Sequence, residues 1–371
     1  MLLEASEPIG GMGKLILLQG KSRSMRALSK VERSHGAMQL VDRDRPTPAA
    51  DEALVAVDYA GLCGSDAGIY EFESAFERMN LPTVIGHEYS GHVVEVGEDV
   101  TKFAVGDRVV ERPIRGCGDC YQCEIGESNV CQNAVITGVD HDGAYERYIA
   151  VPERALHAVP DGVEQQHAAM VEPTSIAARA VIENSRVGAG DRVLVEGPGP
   201  IGLLTAQIAR AQGGSVVISG VGQDEGYRLP LAQELGFETL NVATDDLDER
   251  RETLTDGVGY DVVFDTTGHP SGLTSAVEEV RKGGQIVLIG QTGETTMPYS
   301  PLVRAEIDVQ CSYASMYDDF ERSLRLIERG DVDAATFIDD RFSLLDADAA
   351  FEAFLAGETV KPVFDVAELD E

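Results

Sequence analysis

Four of the six cysteines fall within fifteen residues, spaced Cys117-x2-Cys120-x2-Cys123-x7-Cys131. Four thiolates from one loop can close a tetrahedral zinc site with no open position, and such a site supplies folding energy where a core is missing. Crowding of this kind in an intracellular chain reads as metal, not disulfide. A second constellation is looser: Cys63-Gly-Ser65-Asp66, Gly86-His87-Glu88 and Glu172-Pro173. Each part alone has an ordinary reading as a core thiol, a structural histidine or a surface acid. Together Cys63, His87 and Glu88 offer one soft and two harder ligands, suited to Zn²⁺ with a position left open. Glu172 is a candidate further ligand. Asp66 has the character to orient His87 from behind, and Ser65 to take a proton from a substrate hydroxyl.

The third constellation is Gly197-Pro-Gly199-Pro200-Ile201-Gly202, a G-x-G-x-x-G between an apolar run at 192–196 and an Ala-rich helical pattern at 201–211. The first glycine turns the chain, the second lets backbone approach a pyrophosphate, and the third lets helix and strand pack closely. The helix N-terminus then presents free N–H groups to the phosphates. The motif opens a βαβ unit, the context it requires, so a dinucleotide cofactor, NAD or NADP, is expected here.

These residues need elements to hold them. The first part of the chain reads as short strands, at 53–59, 93–96, 107–111 and 144–151, with Gly97 and Gly106 as punctuation. A helical stretch follows over 165–184, broken near Pro173. Strands at 193–196, 215–220, 239–242, 261–265, 285–290 and 307–313 then alternate with helices at 201–212, 226–235, 273–281 and 318–329, which predicts a doubly wound parallel sheet. A helix at 346–355 and an extended segment at 362–366 return to the first part. Residues 1–24 show no period and are read as an extension, disordered or lying before a start at Met25.

The 371 residues carry 64 acidic and 30 basic side chains, a net charge of −34, and only six of the basic ones are lysine. So acidic a surface argues against nucleic acid and anionic membranes as partners. No apolar run is long enough to span a membrane, and the N-terminal apolar stretch is too short for a signal peptide. A soluble cytoplasmic protein is expected. The lysine shortage removes long apolar stems from the surface, which points to adaptation to high intracellular salt.

At this point the chain resembles the zinc-dependent medium-chain dehydrogenases of the sorbitol and threonine dehydrogenase type. The motifs in family order are Cys-Gly-Ser-Asp at 63–66, Gly-His-Glu-Tyr-Ser-Gly at 86–91, Gly-Asp-Arg-Val at 106–109, the four-cysteine lobe and the glycine turn at 197–202. The resemblance implies an α/β architecture. A GroES-like, mainly β catalytic domain at 25–173, with a structural zinc lobe at 112–135, precedes a Rossmann domain at 174–313, and residues 314–371 complete the catalytic domain. It implies one catalytic and one structural zinc, a homodimer or homotetramer, and hydride transfer between an alcohol and NAD(P). The Glu172-Pro173 pair is similar to the polyol dehydrogenases, so a polyol or sugar substrate comes first, with threonine and secondary alcohols as alternatives. A zinc-containing nucleotide-binding protein without turnover is the reading from another class.

Two departures stand out. Many relatives carry a histidine where this chain has Gly68. And the strand at 215–220 ends in Gly220, where NAD-specific enzymes place an acid for the ribose 2′-OH. Its absence leaves room for a 2′-phosphate and favours NADP. Arg228, in a Tyr-Arg-Leu segment that also resembles an ordinary adenine-side contact, is the nearest basic partner.

Overall fold

A computed structural model describes residues 24–291, 293–338 and 341–370; the expectation for residues 1–23 lies outside them. A seven-stranded sheet forms around β1, Glu52–Gly61, with five strands from the first part of the chain and two from its end. Its residues alternate Leu54 and Ala56 with Val55 and Val57, and all four are buried, as a central strand with both faces covered requires. β2, Glu88–Val96, lies antiparallel to β1 and pairs Glu88 with Gly61. The helix α1, Gly64–Glu71, follows β1 directly, with Cys63 as its N-cap.

The helical stretch expected over 165–184 is two helices, Gln165–Ala168 and α2, Val171–Ala178, followed by a π-turn at Arg179–Glu183. The break falls before Val171, not near Pro173. Pro173 sits in the first turn of α2, where a missing N–H leaves no hydrogen bond unmade.

β3 (Arg192–Glu196), β4 (Ser215–Gly220) and β5 (Tyr260–Asp265) belong to a six-stranded sheet. Its order is Glu238–Asn241, β4, β3, β5, Val280–Leu288, Asp308–Cys311, and every pairing is parallel. The strand order reverses at β3, with β4 on one side of it and β5 on the other, so a crevice opens outside the carboxyl ends of β3 and β5, the place where such sheets bind ligands. α3, Pro200–Ala211, and α4, Arg228–Glu234, follow β3 and β4. Cores lie on both sheet faces: Val193, Val195 and Ile218 on one, Leu194, Val217 and Val263 on the other.

The chain then returns. α5, Ala347–Ala356, buries Phe351 against Tyr70 of α1, their rings stacked 4.6 Å apart. β6, Val363–Asp365, pairs antiparallel with the end of β1, Val363 opposite Gly61. No helix among the described residues is long and apolar enough to cross a membrane.

Candidate active site and metal centres

The end of β1, the start of α1 and the start of β2 meet at one point, because Gly61 and Glu88 are register partners. There Cys63, His87 and Glu88 bring their ligand atoms within 4.8 Å of one another. Position 61 must be glycine: a β-carbon would stand 2.8 Å from a Glu88 carboxylate oxygen. Asp66, in the first turn of α1, is fully buried and accepts from the Cys63 N–H at 3.0 Å and the Tyr145 hydroxyl at 3.1 Å. Its other oxygen faces His87 Nδ1 at 3.6 Å, and neither atom has another partner. That arrangement sets the imidazole with Nδ1–H toward Asp66 and leaves Nε2 as the ligand atom. Ser65 Oγ lies 3.5 Å from the same Nε2.

Lys361, the residue two before β6, donates to Glu88 at 2.6 Å and to the Leu62 carbonyl at 3.0 Å. Both charged side chains of this pair are buried. Glu172, in the first turn of α2, is buried nearby but lies outside the 4.8 Å cluster. Burial pushes its carboxyl up to about 7; His87 draws it down and Glu88 adds to the rise. Asp66, Glu88, Glu172 and the Cys63 thiol thus share one buried region with Lys361 and His87. Buried charge of one sign needs compensation. An S, N, O donor set with surplus negative charge fits a divalent ion of borderline softness, which is zinc.

Gly68 also has a structural explanation. A β-carbon there would lie 2.8 Å from the Phe76 ring and 3.0 Å from Glu73, so that packing leaves no room for a histidine without rearrangement.

In the second cluster Cys117, Cys120, Cys123 and Cys131 also lie within 4.8 Å of one another, and all four are free thiols. Cys131 Sγ stands 3.5 Å from Cys117 Sγ and 3.6 Å from Cys120 Sγ. Four sulfurs tetrahedrally placed about 2.3 Å from a zinc are about 3.8 Å apart, so the spacing fits that ion. Backbone N–H groups hold the Cys120 thiol down at about 6, whereas hydrogen bonding with Asp119 raises Cys117 to about 12, so the four thiols do not titrate alike and the sulfur spacing carries the assignment.

At the crevice, Gly197 has φ +96° and its N–H bonds the Ser219 carbonyl at 2.8 Å. Gly199 caps α3 and Pro200 is its first residue, with Ile201 next in the same turn. A β-carbon on Gly199 would meet nothing within 4 Å, so the backbone there lies open for a pyrophosphate, whereas one on Gly202 would stand 1.9 Å from the Gly197 carbonyl oxygen. Gly202→Ala is therefore expected to displace the turn and weaken NADH binding by about 5- to 150-fold, the affinity equivalent of about 1–3 kcal/mol of overpacking. Nicotinamide fluorescence reads the loss, and zinc content should stay at the wild-type value. Gly220 ends β4 as expected, but Arg228 is not a free cation. Its guanidinium faces Asp224 at 3.7 Å and donates to the Phe354 carbonyl at 3.2 Å.

A glycine turn of the dinucleotide-binding type on a parallel sheet, together with a three-residue candidate metal site on a separate β sheet, is the combination that a metal-dependent oxidoreductase requires. The chain belongs to the zinc-dependent medium-chain dehydrogenases, enzymes that act on CH–OH groups. Residues 49–161 match the alcohol dehydrogenase GroES-like domain and residues 200–329 the zinc-binding dehydrogenase domain. A sorbitol dehydrogenase of Halalkalibacterium halodurans is 35% identical over 91% of this chain and 98% of its own length. An L-threonine 3-dehydrogenase of Burkholderia vietnamiensis is 30% identical over 92% and 99%. The crystal structure of a zinc-binding dehydrogenase from Sinorhizobium meliloti bound to NADP superimposes with a TM-score of 0.84 at 27% identity, covering 92% of this chain and 99% of that one. The expected fold, a GroES-like domain with a Rossmann-type sheet, is the fold found.

Sequence reading missed Lys361 and Tyr145. Lys361 had a signal: the chain holds six lysines, and one of them sits within an apolar C-terminal segment.

Proposed function

We propose that this enzyme oxidises a polyol, a sugar or another vicinal hydroxy compound with NAD(P), through Cys63, His87 and Glu88 as zinc ligands. The observation that carries this reading is the convergence of those three ligand atoms, with Glu172-Pro173 beside them. Threonine and simple secondary alcohols rank after polyols. The intact set Cys63, Ser65, His87, Glu88 and Glu172 weighs against a nucleotide-binding protein without turnover.

Zinc in this set would act as a Lewis acid on the substrate hydroxyl, and the nicotinamide would accept the hydride. The protein's own part is positional. Ser65 Oγ lies at the edge of the cluster, placed to take the substrate proton. Asp66 fixes the tautomer and direction of His87. Lys361 holds Glu88 in place. With Gly68 in place of histidine, that position offers no side chain to carry the proton beyond Ser65.

The division into a GroES-like domain at 25–173, a Rossmann domain at 174–313 and a completing segment at 314–371 is part of this proposal. The pairing of β6 with β1 supports it for the end of the chain, whereas Val332, Ala334 and Phe337 pack with the Rossmann core. We place the protein in the cytoplasm of a high-salt cell, as a homodimer or homotetramer. Support for assembly comes from the sheet edge at Asp308–Cys311, beside exposed Tyr299, Val303 and Tyr313.

The test is initial rates at 340 nm in molar KCl, with NAD⁺ and NADP⁺ each offered against polyols, aldoses, threonine and secondary alcohols. Turnover of polyols or sugars is the expected result. Zinc-replete, folded protein inert across the panel would sink it. A second measurement addresses Lys361. Lys361→Met leaves the buried Glu88 carboxylate without its cation, and stability measured by denaturant unfolding should drop by about 3–5 kcal/mol.

A further inference from the structure

We propose that Asp224 replaces the acid missing from the end of β4 and makes this enzyme prefer NAD over NADP. The proposal rests on the dinucleotide reading of the Gly197–Gly202 turn and reverses the preference that Gly220 alone suggests.

The geometry is local. β4 ends at Gly220, and a 3-10 turn over Gly222–Gly226 separates it from α4. That turn folds Asp224 back over the strand end. A β-carbon built on Gly220 would stand 3.0 Å from an Asp224 carboxylate oxygen, and equally 3.0 Å from Pro198 of the glycine turn. The Asp224 carboxylate therefore fills the volume that an acidic side chain at 220 would fill, beside the pyrophosphate turn. Gly220 has no side chain because that space is already taken.

The carboxylate keeps capacity to accept. One oxygen accepts from the Val221 N–H at 2.9 Å. The other faces the Arg228 guanidinium at 3.7 Å, beyond hydrogen-bond length, and the side chain is 5% exposed, so a ribose would meet it only at that narrow opening. A ribose 2′-OH can donate to that oxygen; a 2′-phosphate cannot, and would meet a like charge.

The cation that a 2′-phosphate needs is committed elsewhere. Arg228 is the one basic residue between Ser215 and Asp245, a stretch that also holds Asp224, Glu225 and Asp245. Its guanidinium spans from Asp224 to the carbonyl of Phe354 near the C-terminal end of α5, and lies 5.9 Å from the Phe354 ring. Only 14% of that side chain is exposed. Turning it toward a 2′-phosphate would break its contact with α5 and strip Asp224 of its counter-charge.

The experiment uses half-molecules of the cofactor, so that no turnover is needed. 5′-AMP and adenosine 2′,5′-bisphosphate are titrated calorimetrically into the zinc-loaded protein in molar KCl. The wild type should bind 5′-AMP at least about tenfold more tightly, as expected for a like charge placed against a desolvated acid. Asp224→Asn keeps an acceptor for the Val221 N–H and removes the charge; it should bring the two ligands within about threefold. Asp224→Ser serves the same purpose should the first variant melt early, and a thermal melt of each confirms the fold. Equal or tighter binding of the bisphosphate by wild type overturns the proposal without any variant. A 5′-AMP preference that both variants leave intact overturns the assignment to Asp224. Binding of neither half-molecule refutes the dinucleotide reading beneath it.

Discussion

Cys63→Ala is expected to abolish turnover and to remove one of two zincs per subunit while the protein stays folded. Cys63 is the soft member of the proposed three-residue ligand set, and His87 and Glu88 alone would give a weak site for zinc against solvent. A metal acting on a hydroxyl supplies several kcal/mol of transition-state stabilisation, so the rate should fall by about 10³- to 10⁴-fold. His87→Ala should do the same. The four-cysteine cluster shares no residue with this centre, so its zinc should remain, and metal analysis should read one equivalent, not none. The backbone role of Cys63, capping α1, is small beside the buried contacts of that helix, among them the Tyr70–Phe351 stack. The melting temperature is therefore expected to shift by only a few degrees. A fully active Cys63→Ala enzyme would refute the catalytic assignment. Loss of both zincs together with the fold would instead mean that the two centres are one stability unit.

The second large effect concerns salt. With a net charge of −34, the chain repels itself over the whole Debye length, about 30 Å at 0.01 M salt and about 3 Å at 1 M. Lysine does little to offset this on the surface. Of the six, Lys14 and Lys21 lie outside the described residues, Lys30 and Lys361 are buried, and Lys102 and Lys282 are exposed. Exposed ion pairs such as Arg192–Asp256 are weakened by the same screening, but each contributes about 1 kcal/mol at most. The repulsion among 64 acids against 30 bases outweighs them. If screening returns about 5 kcal/mol, the melting temperature should rise by about 5–10 °C between low-salt buffer and molar KCl. Activity should decline on dilution into low salt. A melt unchanged across that range would contradict the proposed adaptation.

The chemistry was legible where it was local. Cys63, Ser65 and Asp66 lie in one tetrapeptide and the four lobe cysteines in one loop, so spacing alone assembles them. The alternation of strand and helix after residue 190 was also readable, because parallel strands buried on both faces leave unbroken apolar runs. The helix Leu247–Thr255 was missed for the opposite reason: it is polar along nearly its whole length and offers no apolar period. Pro173 misled, since a proline inside a helical pattern marks a break only beyond the first turn. Long-range partners were not readable at all. Lys361 meets Glu88 across 273 residues and Tyr145 meets Asp66 across 79, contacts that only the sheet pairings bring about. The role of Asp224 was hidden likewise, since the missing acid was sought on the strand and stands in the turn after it.

The pairing of β6 with β1 also has a consequence for biosynthesis. Domains fold roughly as the ribosome releases them, N-terminal first. The sheet around β1 departs from that order, for its edge at Tyr59–Gly61 waits for Val363–Asp365, and Glu88 waits for Lys361. The Rossmann-type sheet, translated in between, has all its strands hundreds of codons' worth of time after β1 emerges but before β6 does. Both halves wait on the end of the chain, since Val332, Ala334, Phe337 and Val360 also pack into the core of the Rossmann-type sheet. A chain lacking residues 361–365 is therefore expected to lose both the Lys361–Glu88 contact and the strand that covers the edge of β1 beside the proposed metal site.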